Sequence, residues 1–188
     1  MFIQVQDTPN PNTLKLILDE AILQGSQTFN YNDKNEASNS LLAQKLFDIN
    51  GVNNIFIGYN FVSVSIADDK SCDSIKHKIM GYLNDFLTTG AKVVDVAKVN
   101  ENQKVVASSE SEQEIVDKIA EIIEERVRPA VAMDGGDIIF KKYENGIVYL
   151  SMQGACSGCP SSAMTLKSGI ENMLKYYIPE VQEVVSIE

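Results

Sequence analysis

Two cysteines three positions apart, Cys156 and Cys159, are the residues of this sequence best suited to chemistry. They lie in the loop sequence GACSGCP at residues 154–160, which the flanking patterns place between a strand and a helix. The free N–H groups at a helix start and the positive end of the helix dipole favour the thiolate, which is the form that binds metal. The small residues of this loop would let its backbone approach a bulky group and donate N–H groups to inorganic sulfide. The loop therefore predicts thiolate chemistry, either metal binding or redox exchange.

The number of soft ligands limits what one chain can bind. A 4Fe–4S cluster has four terminal ligands, normally cysteines, and a structural zinc ion has about four nitrogen or sulfur ligands. The chain has three cysteines and one histidine. The remaining two ligands, Cys72 and His77, are five residues apart, which puts them about 140° out of phase on a helix. Two chains that each contribute Cys156 and Cys159 would complete a site, and such a shared site suits a metal group that is given away.

Two other interpretations of the cysteine pair stay open. A thiol–disulfide oxidoreductase also carries C-x-x-C at a helix start, although only one helix and one strand follow Cys159 in this chain. A structural zinc clamp between two chains is the other interpretation, because four thiolates also suit tetrahedral zinc. The colour and the metal content of the protein would separate these interpretations.

The other chemically capable residues favour structural roles. Cys72 is expected to be a partly buried small residue, and His77, between two lysines, is expected to be solvated. Asp134 and Asp137 flank two glycines and are expected to cap a helix and turn the chain rather than to act as paired acids. With one histidine there is no base for a nucleophilic triad, and the glycines match no nucleotide-binding fingerprint.

The composition is that of an ordinary globular protein, with 188 residues of which 44% are hydrophobic and 22% charged. No stretch approaches the roughly 18 apolar residues of a membrane span. The net charge of −10 argues against binding to nucleic acid or anionic lipid, so neither is an expected partner. The first twenty residues have the pattern of neither a secretory signal nor a transit peptide. We therefore expect a cytoplasmic protein, or a mature form that has already been processed.

The N-terminal half predicts an α+β domain over residues 1–92. Alternating or β-branched runs predict strands at residues 2–6, 13–18, 54–57 and 61–66, the last two forming a hairpin. Apolar residues at helical spacing predict helices at residues 40–47 and from 73 to 90. A polar stretch follows, so that residues 93–110 are expected to be a flexible linker.

The C-terminal half, residues 111–188, predicts a second small α+β domain in the order α-β-β-α-β. Ser111 and Glu114 have the spacing of a capping box, and the helix that they start is expected to end or bend at Pro129. Strands at 138–143 and 147–152 are joined by Asn145-Gly146, a pair favoured by tight hairpin turns. The final helix spans 161–177 and the final strand 181–187. The cysteine loop lies between the second strand and this helix.

Two stretches of the C-terminal half, GACSGCPSSAMTLKSGIENMLK and RPAVAMDGGDI, resemble the signature of the NifU-like C-terminal domain. Two stretches of the N-terminal half, FIQVQDTPNPNTLKLIL and FDINGVNNIFIGYNFVSVS, resemble the N-terminal domain of the Nfu family. The resemblance implies a non-enzymatic iron–sulfur cluster scaffold or carrier. In that family a 4Fe–4S cluster is bound between two protomers and delivered to apo iron–sulfur proteins. Cys156 and Cys159 stand where the cluster ligands of the family stand.

The same resemblance sets expectations for partners and compartment. It implies a homodimer in the cluster-bound form, upstream cluster-assembly proteins as donors, and a role of the N-terminal domain in partner recognition. A 2Fe–2S cluster is an alternative cargo, because paired C-x-x-C sites can hold either type. The compartment implied is the bacterial cytosol, or the mitochondrial matrix for a processed organellar protein.

Overall fold

The computed structural model describes residues 2–67, 72–96, 110–157 and 160–187, without the side chains of 72–74, 110–111 and 160–163. The chain divides into two compact units, Met1–Asn100 and Glu101–Glu188, and each is presented by itself. The predicted α+β class is confirmed, because both units combine helices with a sheet. Among the helices of the described segments, none has the length and apolar character needed to cross a membrane.

The first unit contains a five-stranded antiparallel sheet in the order β1-β2-β5-β4-β3. Its strands are β1 (Ile3–Asp7), β2 (Thr13–Leu18), β3 (Phe29–Tyr31), β4 (Val52–Ile57) and β5 (Phe61–Ile66). Its helices are a short 3-10 turn (Glu36–Asn39), α1 (Leu41–Phe47) and α2 (Cys72–Thr88). The predicted bounds of β2 and β5 are confirmed, while β3 and the 3-10 turn are additions, because a three-residue strand is too short to show alternation.

Alternation along the central strands builds the core of this unit. Leu14 and Leu16 of β2 lie opposite Val64 and Val62 of β5, and all four are buried. Since successive side chains of a strand point to opposite faces, these residues share one face of the sheet. They belong to the same hydrophobic cluster as Ile79 and other apolar residues of α2. The helical periodicity of α2 is thus matched to an apolar sheet face.

Two residues of the predicted linker pack against the first unit. Val93 and Val94 are buried in the core of the first unit. The Ser40 hydroxyl, which caps α1 by accepting from the Ala43 N–H at 3.2 Å, donates to the Val93 carbonyl at 2.7 Å. Two adjacent β-branched residues gain more by burial than by exposure, so the first unit extends past residue 92. Of the predicted linker, residues 97–109 lie outside the described residues, and Glu110 is the first residue of the helix that follows.

The second unit has a three-stranded sheet in the order β6-β7-β8, with β6 and β7 antiparallel and β7 and β8 parallel. Its elements are α3 (Glu110–Ile122), a π-helical turn (Ile123–Val127), α4 (Arg128–Met133), β6 (Gly136–Glu144), β7 (Ile147–Gly154), α5 (Pro160–Tyr177) and β8 (Glu183–Ser186). The predicted α-β-β-α-β order is confirmed. The hairpin turn is also confirmed, because Asn145 and Gly146 both have positive φ, at 51° and 83°.

The first helix of this unit differs from its prediction at its start. It starts at Glu110, so Ser111 lies inside the helix and is not its capping residue. Of the two predicted outcomes at Pro129, an end or a bend, the helix does not end there: it continues as α4 to Met133. The π turn widens the helix just before the proline, which relieves the clash between a proline ring and the carbonyl four residues earlier.

Candidate metal centre

The loop after β7 buries Cys156 in the core of the second unit. The strand ends at Gly154, which has a φ of 62°. The Ala155 N–H then donates to the Gly135 carbonyl at 3.1 Å, and the Ser157 N–H donates to the Gly154 carbonyl at 3.0 Å. Cys156 is 6% exposed and belongs to the hydrophobic cluster of the unit. The backbone turn thus points this cysteine inward.

The second predicted ligand is not part of this geometry. Cys159 lies outside the described residues, as does Gly158. Helix α5 starts at Pro160, as expected for a proline in the first helical position. Of the other candidates, His77 is exposed on α2, as predicted, and the side chain of Cys72 is not described. Within the described residues, no group of three or more His, Cys, Asp or Glu side chains could hold a metal ion.

Gly136 forms the wall beside the buried thiol. It is paired with Gly154 at the start of the β6–β7 ladder. A Cβ at this position would lie 2.6 Å from the Cys156 Sγ and 2.5 Å from the Gln153 carbonyl oxygen. Both distances are too short for any side chain, so Cys156 occupies its place only because residue 136 is glycine. The sequence pattern predicts only a turn at this glycine and does not reveal its contact with Cys156.

An ion pair holds the strand start next to this wall. Arg128, the first residue of α4, donates from Nε to Asp137 Oδ1 at 2.8 Å and from Nη2 to Oδ2 at 2.7 Å. Its Nη1 donates to Glu124 at 2.5 Å. Asp137 is 2% exposed and also accepts from the Ile138 N–H at 2.8 Å. This bidentate geometry raises the pKa of Arg128 above its already high ordinary value.

The predicted role of Asp137 is therefore wrong, while that of Asp134 is confirmed. Asp134 is the C-terminal cap of α4, where its N–H donates to the Val131 carbonyl at 3.1 Å. Asp137 lies within β6 and is a buried partner of arginine. The signal that could have found this pair is the arginine at the start of RPAVAMDGGDI, nine residues before the aspartate. A buried carboxylate needs such a partner.

The surroundings of Cys156 oppose the thiolate that a helix start was expected to favour. Burial raises the pKa of the Cys156 thiol to about 12, and the carboxylates of Asp134 and Asp137 add to the increase. Desolvation by burial is the largest of these causes, because it penalises the charged form of the thiol. The sulfur remains a soft donor of the type that zinc and iron–sulfur clusters select. Metal binding at this position must therefore displace a proton.

Family comparisons match both units of the chain. Residues 3–90 match the model described as "Scaffold protein Nfu/NifU N terminal", and residues 119–185 match the model described as "NifU-like domain". The two matches, in this order, define the class of protein: an Nfu-type N-terminal unit followed by a NifU-like unit that carries the cysteine loop. The chain belongs to the Nfu family.

Relatives of the chain are similar along its whole length. A protein of Drosophila virilis named "NFU1 iron-sulfur cluster scaffold homolog, mitochondrial" is 42% identical over 187 residues, which cover 100% of this chain and 62% of that protein. The protein of the same name from Drosophila persimilis is 40% identical, with 65% of its length covered. The chain thus spans less than two thirds of the length of these relatives.

A solved structure is also similar to this chain. The solution structure of a NifU-like protein from Saccharomyces cerevisiae is 27% identical. The matched region covers 51% of this chain and 86% of the yeast protein's chain, with a TM-score of 0.44.

Proposed function

We propose that this protein is an iron–sulfur cluster scaffold or carrier. Two copies each contribute Cys156 and Cys159 to one 4Fe–4S cluster, which is then transferred to apo iron–sulfur proteins. The observation that carries the proposal is the identity of about 40% over the whole chain, cysteine loop included, to proteins named as iron–sulfur cluster scaffolds. The cluster is cargo in this proposal, and the protein is not an enzyme.

The surroundings of Cys156 support a cluster ligand more than a redox-active thiol. A disulfide oxidoreductase needs an exposed thiol with a lowered pKa. Cys156 is buried and its pKa is raised to about 12. A metal, by contrast, supplies enough free energy to displace the proton of a buried thiol. A zinc clamp between two chains uses the same sulfur atoms, so the metal content has to decide between zinc and iron.

The partners and the compartment follow from the carrier role. A scaffold requires upstream cluster-assembly proteins as donors and apo iron–sulfur proteins as acceptors, and the N-terminal unit would recognise them. A mitochondrial matrix location agrees with the names of the relatives. The bacterial cytosol remains the alternative compartment.

The test is anaerobic reconstitution of the full chain with iron and sulfide. Counting four thiolates per cluster gives one 4Fe–4S cluster per two chains. We expect Mössbauer spectra of a 4Fe–4S cluster, a dimer of the cluster-bound protein in sedimentation, and a monomer after cluster removal. The reconstituted protein should activate an apo iron–sulfur enzyme faster than free iron and sulfide do.

The controls are Cys156→Ser, Cys159→Ser and Cys72→Ser. The first two variants should lose the cluster, while Cys72→Ser should keep it, because Cys72 belongs to the first unit and is not a proposed ligand. Bound zinc without iron, or a monomer that keeps a full 4Fe–4S cluster, would contradict the proposal. A 2Fe–2S spectrum would keep the carrier role and correct the cargo.

A further inference from the structure

The buried pair of Arg128 and Asp137 links two elements beside the candidate metal centre. Arg128 is the first residue of α4, and Asp137 is the second residue of β6. Both guanidinium–carboxylate hydrogen bonds are short, at 2.7 and 2.8 Å. The pair therefore closes the chain segment between them, which contains the turn at Gly135 and Gly136.

That segment is the wall against which Cys156 rests. The Gly135 carbonyl accepts from the Ala155 N–H at 3.1 Å, and Gly136 leaves the space in which the Cys156 Sγ lies. Asp137 follows directly and is paired with Gln153 in the ladder. Gly135, Gly136 and Asp137 thus all contact the end of β7 or the start of the cysteine loop. The last of these three residues is held by Arg128.

The charge of Arg128 has a second consequence at this position. Asp137 is a buried carboxylate close to a sulfur that would carry negative charge as a ligand. The guanidinium neutralises that carboxylate. If the arginine is removed, the segment loses its anchor and keeps an uncompensated negative charge, which is costly when buried.

We propose that Arg128 is a positioning residue of the cluster site: through Asp137 it holds the Gly135–Asp137 segment against Cys156, so that this thiol is shielded in the metal-free chain and held in place as a ligand. The shielding of the thiol is independent of the proposed function, whereas the positioning of Cys156 as a ligand rests on it. Substitution of a residue that orients a metal ligand commonly lowers metal affinity by about 10- to 100-fold.

The first experiment needs no cluster. In a full-length chain carrying Cys72→Ser and Cys159→Ser, Cys156 is the only thiol, and its rate of alkylation by iodoacetamide reports how well it is shielded. Arg128→Met should raise this rate roughly tenfold or more, since the segment opens locally. The rate should be independent of low urea concentrations, because global unfolding would show a steep urea dependence. Arg128→Lys keeps the charge and should restore part of the protection.

The second experiment uses the reconstituted full chain with all its cysteines. An iron chelator should remove the cluster roughly tenfold faster from Arg128→Met than from the wild type. Lys175→Met is the matched control, because it breaks another ion pair of the same unit, with Glu171 at 2.6 Å. Lys175→Met should change neither the alkylation rate of Cys156 nor the rate of cluster removal.

The outcomes separate this inference from the proposed function. If the wild type takes up no cluster, the proposed function fails and the alkylation rates alone decide whether Arg128 positions Cys156. If the wild type binds the cluster but Arg128→Met matches it in both rates, the positioning role is overturned and the carrier role stands. Faster alkylation that depends steeply on urea would also overturn it, since the arginine would then stabilise only the fold.

Discussion

At Gly136 the missing side chain makes room for the sulfur of Cys156. A methyl group at this position would overlap both the thiol and the Gln153 carbonyl. Neither neighbour can move freely, because the carbonyl belongs to the backbone of β7 and the cysteine is packed in the core. The residue that shapes the candidate site is therefore one without functional groups.

We predict that Gly136→Ala destabilises the second unit by about 1–3 kcal/mol, the usual cost of overpacking. The matched control is Gly169→Ala in α5, where a Cβ would meet no atom within 4 Å. Since alanine has a higher helix propensity than glycine, Gly169→Ala should instead stabilise the second unit by about 0.5–1 kcal/mol. Urea unfolding of both variants measures the difference. A neutral or stabilising Gly136→Ala would show that the cysteine loop is more adaptable than its contacts indicate.

At the scale of elements, Glu171 joins α5 to the last strand. Its Oε2 accepts from the Val184 N–H of β8 at 3.1 Å, and its Oε1 accepts from Lys175 at 2.6 Å. The Lys175 hydrogen bond, followed by that of the Val184 N–H, lowers the pKa of Glu171. Because the pKa of Glu171 is lower in the folded state than in the unfolded state, the ionised carboxylate stabilises the fold at pH values above the ordinary pKa of a glutamate. This stability is lost as the pH falls through the pKa of the folded state.

The expected result for Glu171→Gln is a weaker dependence of stability on acid pH. The variant should be less stable than the wild type near neutral pH, and the gap should close below about pH 4, the ordinary range of a glutamate. Urea midpoints from neutral to acid pH provide the measurement. In the Lys175→Met background the same substitution should have a smaller effect. An unchanged gap across the whole pH range would mean that the ionised form of Glu171 contributes nothing.

At the scale of the whole molecule, each unit has its own hydrophobic cluster. The cluster of the first unit includes Val93 and Val94, and that of the second starts at Val116 among the described residues. In the described part of the chain, each cluster combines helix and strand residues of its own unit. Such an arrangement is typical of domains that fold on their own.

We therefore predict that fragments 1–96 and 110–188 each unfold cooperatively. Calorimetry and circular dichroism of the two fragments should together reproduce the unfolding of the full chain, because each fragment keeps every core residue that the described segments contribute to its unit. The fragment 1–92 is the informative control. It lacks Val93 and Val94 and should be less stable than 1–96 by about 3–6 kcal/mol, given about 1.5–3 kcal/mol for each buried aliphatic side chain. A molten state of either longer fragment would contradict the independence of the units.

The sequence by itself determined the α+β class, most of the helices and strands, the hairpin at Asn145-Gly146 and the cysteine loop between β7 and α5. These features depend on periodicity, turn residues and short motifs, all of which are local in the chain. The resemblance to the Nfu family likewise came from contiguous stretches on both sides of the polar segment.

Only the tertiary structure decided which residues surround Cys156 and in what state its thiol is. The contact with Gly136 and the burial that raises the pKa of the thiol depend on segments that the fold brings together, and the pairing of Asp137 with Arg128 depends on how α4 packs against β6. The same holds for Val93 and Val94, whose place in the core depends on α1 and not on their polar neighbours. Burial and pairing at these positions are properties of the packed molecule, because they depend on which other segments exclude water from the side chain, and periodicity predicts only which face of an element is apolar.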